Sequence, residues 1–144
     1  FTGRDGDKIG GFVVLRIEDI TSGIDKQSVG IKIGRIIDLV AHEKAEEQLL
    51  SRSVEFCQNQ DLGLIDFFFT GNFPALSLEK IGFVAADVHP YSLIPTLLNP
   101  IDRVKRTKNN FAFKLINPDY QREGITNLNN WYTTKGCGDQ DRPY

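Results

Sequence analysis

The chain has 144 residues, of which 40% are hydrophobic and 25% charged, with a formal net charge of -2. That is the composition of one globular domain long enough to bury a core, and its charge balance lacks the basic excess that nucleic acid or a membrane surface would demand. Two cysteines are too few for a disulfide-built scaffold, and their spacing fits no metal motif. No stretch approaches the roughly 18 apolar residues of a transmembrane helix, and no signal peptide is visible at Phe1, so a cytoplasmic location is expected. There is no Met, so a chain opening on Phe1 reads as a fragment, a processed product or an engineered piece.

The first forty residues read as strands. Arg4-Asp5-Gly6-Asp7 is a turn, because Asp-Gly favours the positive φ angles of tight hairpins. A strand follows over Ile9 to Ile20, with the run Phe12-Val13-Val14-Leu15 and then alternation through Arg16, Ile17 and Glu18. Thr21 to Ser28 is a polar loop containing Gly23, and a second strand spans about Val29 to Ala41. Two β-rich segments this close are expected to pair antiparallel.

The period then changes. From His42 to about Gln60, Ala45, Leu49, Leu50, Val54 and Cys57 fall on one helix face, while Glu46, Glu47, Arg52 and Glu55 fall on the other. Asp61-Leu62-Gly63 ends that helix, and Leu64 to Phe69 reads as a buried strand, parallel to the preceding one through a βαβ connection. A short helix runs from about Pro74 to Ile81, stopped by Gly82. Short strands follow at Phe83 to Ala86, within Tyr91 to Leu98 and at Phe111 to Ile116, around a polar loop from Asn99 to Asn110. The expected class is α/β (α+β), with a mixed, mostly antiparallel sheet and two helices over residues 1–117 and an irregular tail over 118–144.

This order of elements, with Leu78-Glu79-Lys80-Ile81-Gly82-Phe83, resembles the second half of the GNAT superfamily of acyl-CoA-dependent N-acyltransferases, whose helix end recurs as Tyr-Glu-Lys-Leu-Gly-Phe. Gly34 to Val40 is similar to that superfamily's central strand, along which acyl-CoA docks. Asn130-Trp131-Tyr132 through Gly138-Asp139-Gln140-Asp141-Arg142-Pro143 looks like a tail on some bacterial GNAT-like proteins of poorly defined role. The likeness covers roughly residues 9 to 117, and the family's first strand and early helices have no counterpart.

The resemblance implies an acyltransferase using acetyl-CoA, with a small-molecule amine or amino-sugar acceptor. It places the donor against Leu39, Val40, Ala41, His42 and Lys44, and makes Asp38 the base, since an apolar strand raises a carboxyl pKa toward a useful range. The sequence departs from the pattern at two places. The strand-to-helix junction Val40-Ala41-His42-Glu43-Lys44-Ala45 has no glycine, and Glu43, Glu46 and Glu47 already complement the helix dipole. Leu78 stands where many members carry the Tyr that protonates the leaving thiolate, and Ser77 beside it is too weak an acid to replace it.

Other readings stay open beside this one. Asp38 either serves as a base or pairs with Arg35 or Arg16, and Asp66 has a similar setting in the next strand. The chain is either a catalyst or a non-catalytic GNAT-like module for ligand binding or assembly, and a free sheet edge also suits a homodimer. The basic run Asp102 to Lys108 holds an anion or forms a solvated loop. Asp119, Glu123, Asp139 and Asp141 lack the calcium-loop pattern, and no metal site is expected. Trp131-Tyr132 marks a tail that either is loose or lies back across the sheet. His42, His89, Cys57 and Cys137 form no nucleophilic pair, and the glycines from Gly3 to Gly11 precede a strand, so they make no dinucleotide fingerprint.

Overall fold

A computed structural model describes residues 1–5, 7–22, 25, 27–71, 75–86, 88–90, 92, 97–98, 101–102 and 127–137. Four strands form one mixed sheet: β1 (Thr2–Asp5), β2 (Lys8–Ser22), β3 (Gln27–Ala41) and β4 (Leu64–Phe67), in the order β1-β2-β3-β4. Neighbours are antiparallel up to β3, and β3 and β4 are parallel. Helix α1 (Glu43–Asn59) makes the crossover between them, and a short α2 (Ala75–Lys80) follows β4. A two-stranded piece, β5 (Leu97–Leu98) with β6 (Ile101–Asp102), completes the α+β fold.

The core sits between the sheet and α1. Ala45, Leu49 and Leu50 repeat at helical spacing and are buried against Val13, Ile36 and Leu39, with Leu78 of α2 closing one end, and Cys57, also buried, continues the stripe. Ser53 lies on the same stripe and satisfies its hydroxyl on the Leu49 carbonyl one turn back, at 2.9 Å. Gly34 is required where α1 crosses β3: a Cβ there would run into the Cys57 sulfur. A second, smaller cluster, Ile20 and Ile33 with Leu64, closes the far end of the hairpin.

Both helices stop in the same way. Asp61 takes a left-handed φ of 54°, and the Asp61 and Leu62 amides donate to the Gln58 and Cys57 carbonyls, both at 3.0 Å. Gly82, at φ 91°, does the same for α2, with Gly82 and Phe83 donating to Glu79 and Leu78. These paired bonds satisfy carbonyls that a helix end leaves open.

Several expectations change: the hairpin strands take in Thr21, Ser22, Gln27 and Ser28, Ile101–Asp102 is a strand inside the expected polar loop, and Glu46 is buried rather than on the solvent face of α1. Arg4 and Asp5, expected within a turn, belong to β1 and pair with Ile9 and Lys8 of β2. Phe83 to Ala86 belongs to no strand. β4 ends at Phe67 rather than Phe69, for a reason that defines the site below. Phe111 to Ile116, Arg103 to Asn110, Asp119, Glu123, Asp139 and Asp141 lie outside the described residues.

Candidate functional site at the parting of β3 and β4

Parallel pairing of β3 with β4 lasts from Ile33↔Leu64 to Ile36↔Phe67 and then stops. One extra residue in β3 accompanies the change: Val14 pairs with Asp38 and Leu15 with Ile36, which leaves Ile37 as a bulge. Beyond it Leu39 still packs into the core under α1, while Asp38 faces the opposite side, as Arg35 does. β3 continues to Ala41, while the chain beyond β4 turns away toward Phe69, Thr70 and Gly71.

The opening holds a segment of the same chain, Trp131 to Cys137. On the β4 side, Phe69 makes an isolated antiparallel bridge with Thr134, and the Thr70 amide donates to the Thr133 carbonyl at 3.0 Å. The Thr70 and Thr133 hydroxyls meet at 2.8 Å. On the β3 side, the Tyr132 hydroxyl donates to the Leu39 carbonyl at 2.7 Å, and the Thr134 hydroxyl donates to Asp38 Oδ1 at 2.9 Å. Asp38 Oδ1 also accepts the Leu39 amide at 2.9 Å. The Gly136 backbone approaches closely, so that a Cβ there would sit 3.2 Å from Asp38 Cβ. Asp38 therefore meets a hydroxyl and an amide.

Both arginines that were alternative partners of Asp38 are engaged elsewhere. Arg35, buried to 4% exposure, places Nε and Nη2 on Asp66 at 2.9 and 2.7 Å and Nη1 on Glu18 at 2.9 Å. Burial works against its charge, but Asp66 and Glu18 more than offset that, and its pKa is raised. Arg16 also pairs with Glu18, from the neighbouring position on β2. Lys135 is the third cation here: it is buried, and its Nζ lies 4.3 Å from the centre of the Phe68 ring. Burial, then the nearby Arg35 charge, bring its pKa down to about 8.

The residues expected to hold an acyl donor divide in two. Leu39 is buried with its carbonyl already accepting from Tyr132, and Ala41 is paired with Gly11. Val40, His42 and Lys44 are exposed. His42 caps α1 with its backbone alone: its carbonyl accepts from Ala45 and Glu46, and its amide donates to Gly10 at 2.8 Å. Glu46, in the first turn, is buried and accepts from Ser77. Burial raises its pKa, and Glu43 adds to that rise.

Tyr132 brings a hydroxyl to the opening that no local pattern announced. Burial, then Asp38, Glu46 and Cys137, push its pKa up, so it stays a hydrogen-bond donor across the ordinary pH range. The sequence signal for it was the aromatic pair Trp131-Tyr132, which wants a surface to dock on. Thr134, Lys135 and Glu18 carried no such signal. Among the described residues, no three His, Cys, Asp or Glu side chains lie together as metal ligands, and no helix is long and apolar enough to cross a membrane. No protein-family model, curated protein or solved structure matches the chain.

Proposed function

We propose that the chain is an acyl-CoA-dependent N-acyltransferase domain of the GNAT type, acting in the cytoplasm on a small amine or amino-sugar with acetyl-CoA as donor. The observation that supports it is the parting of two parallel strands next to the start of the crossover helix. Such a parting leaves strand-edge groups to hold an extended arm, and a helix start to face an anion.

In this reading Leu39, Val40 and Ala41 line the arm, and His42 and Lys44 face the phosphates. The acceptor nitrogen attacks the thioester carbonyl: a C–N bond forms, the C–S bond breaks, and the amine proton passes to Asp38. Tyr132 supplies the donor that Leu78 cannot. The Tyr132 hydroxyl, as a donor, hydrogen-bonds the developing thiolate. The arm also has to take the place of the Tyr132 hydroxyl on the Leu39 carbonyl, so donor binding moves Trp131 to Thr134.

A second reading, a non-catalytic GNAT-like module for ligand binding or assembly, is favoured by that same occupied opening. Glu43 and Glu46 in the first turn of α1 also disfavour a bound phosphate. Calorimetry and thermal shift with acetyl-CoA at millimolar concentration separate the two. Heat and a raised Tm, with a change in Trp131 fluorescence, are expected. No heat and no shift would leave the module reading standing and overturn the transferase.

A further inference from the structure

We propose that Lys135, with Arg35 and Arg16, forms an oxyanion-binding site on the sheet face opposite α1, taking the carboxylate or phosphate group of a small ligand. The proposal does not rest on acyl transfer.

The inference begins with charge. Three cations, Arg16, Arg35 and Lys135, meet two carboxylates, Glu18 and Asp66, so this group carries an uncompensated positive charge, while Asp38 on the same face is held by the Thr134 hydroxyl and the Leu39 amide. Both carboxylates are already engaged by arginines. Asp66 takes two Arg35 nitrogens, and Glu18 is shared between Arg35 and Arg16. The remainder falls on Lys135, which sits within the field of all four neighbours.

Its surroundings do not neutralise it. The residue is 8% exposed, yet among the described residues its ammonium makes no ion pair and no hydrogen bond, and its contact is the Phe68 ring. A cation–π contact is worth far less than the hydration that a buried ammonium gives up. None of the described buried side-chain nitrogens or oxygens is both sealed from solvent and without a partner, so the Lys135 nitrogen keeps an opening to solvent. Arg35 adds capacity: its guanidinium has five N–H groups, and three are engaged by Asp66 and Glu18. Its Cζ lies 5.8 Å from the centre of the same Phe68 ring, so both cations converge on one aromatic side chain.

The choice of an oxyanion follows from the donors. An ammonium and the remaining guanidinium N–H groups match the several lone pairs of a carboxylate or phosphate, and the pair already formed by Arg35 with Asp66 shows the geometry. A neutral ligand would leave the excess charge where it is. Anion binding must also favour the protonated amine. Because Lys135 titrates near pH 8, affinity is complete below that and is lost as pH rises through it.

The test is a 15N NMR titration of the 144-residue chain with sodium acetate and with sodium phosphate at constant ionic strength, against sodium chloride. Saturable shifts of the Phe68, Lys135 and Gly136 amides at millimolar acetate or phosphate are expected. They weaken at least about tenfold in Lys135→Met, the loss of one charge-assisted hydrogen bond. The acetate affinity of the unaltered chain also falls between pH 7 and pH 9, a readout that needs no variant. Whichever anion binds more tightly identifies the ligand group. Shifts that chloride reproduces, that persist in Lys135→Met, or that ignore pH with acetate would overturn the site.

Discussion

The Tyr132 hydroxyl donates to the Leu39 carbonyl at 2.7 Å, joining positions 93 residues apart across the opening between β3 and β4. Leu39 lies beyond the last residue of β3 that β4 can pair, so its carbonyl would otherwise face the gap. Tyr132→Phe removes the donor and leaves that carbonyl without it, at a cost of about 1 kcal/mol. Thermal unfolding should show a Tm lower by about 2–4 °C for a domain of this size. An unchanged Tm would mean that the bond contributes nothing to seating the segment.

Gly71 tests the seat from the other strand. It has a φ of 85°, and a Cβ there would collide with the Trp131 carbonyl oxygen and lie 3.3 Å from that of Asn129. Gly30 has a similar φ of 78° but nothing within 4 Å. Gly30→Ala is therefore expected to cost only the left-handed backbone penalty, about 1–2 kcal/mol. Gly71→Ala pays that and the collision as well. Urea unfolding should rank Gly71→Ala clearly below Gly30→Ala, with Trp131 emission altered in Gly71→Ala alone.

Arg35 is placed to fail badly on substitution. Its side chain is 5% exposed, and its partners Glu18 and Asp66 are 9% and 20% exposed. Arg35→Met leaves two largely buried carboxylates without their shared cation, a loss of about 3–5 kcal/mol. Arg35→Lys is also expected to destabilise, because an ammonium cannot reproduce the fork that holds Asp66 through two nitrogens. Denaturant midpoints close to that of the unaltered chain would contradict both.

Glu46 gives a pH signature. Burial raises its pKa in the fold above the ordinary 4.5, so the folded chain binds this proton more tightly than the unfolded chain. Its contribution to stability is present below the unfolded value and is lost as pH rises through the folded one. Glu46→Gln keeps a partner for Ser77 and removes the ionisation. The variant should unfold at a higher Tm than the parent at pH 7, with the difference shrinking toward pH 4. A constant difference across that range would exclude Glu46 as the titrating group.

Much of the frame was legible because it depends on neighbours in sequence. Leu49, Leu50 and Cys57 recur at helical spacing, Gly82 and Asp61 sit where each helix must stop, and the strand-helix-strand order implies a parallel pair. Asp38 was visible as a carboxylate in an apolar strand, but its partner was not. Of the two candidates, Arg35 went to Asp66 because the two stand directly opposite in the β3–β4 register, and Arg16 went to Glu18.

Local pattern determined the two long strands, the helix α1 with Ala45, Leu49, Leu50 and Cys57 on its buried face, and where each helix ends. Tertiary structure alone decided the rest: that Ile37 bulges and fixes the face Asp38 takes, that Trp131 to Cys137 enters the opening, and that Lys135 is buried against Phe68. Periodicity and turn chemistry act over a few residues. The partners of Leu39, Asp38 and Phe68 come from a segment with no period of its own, whose place is set by hydrogen bonds that only the parted strands leave open.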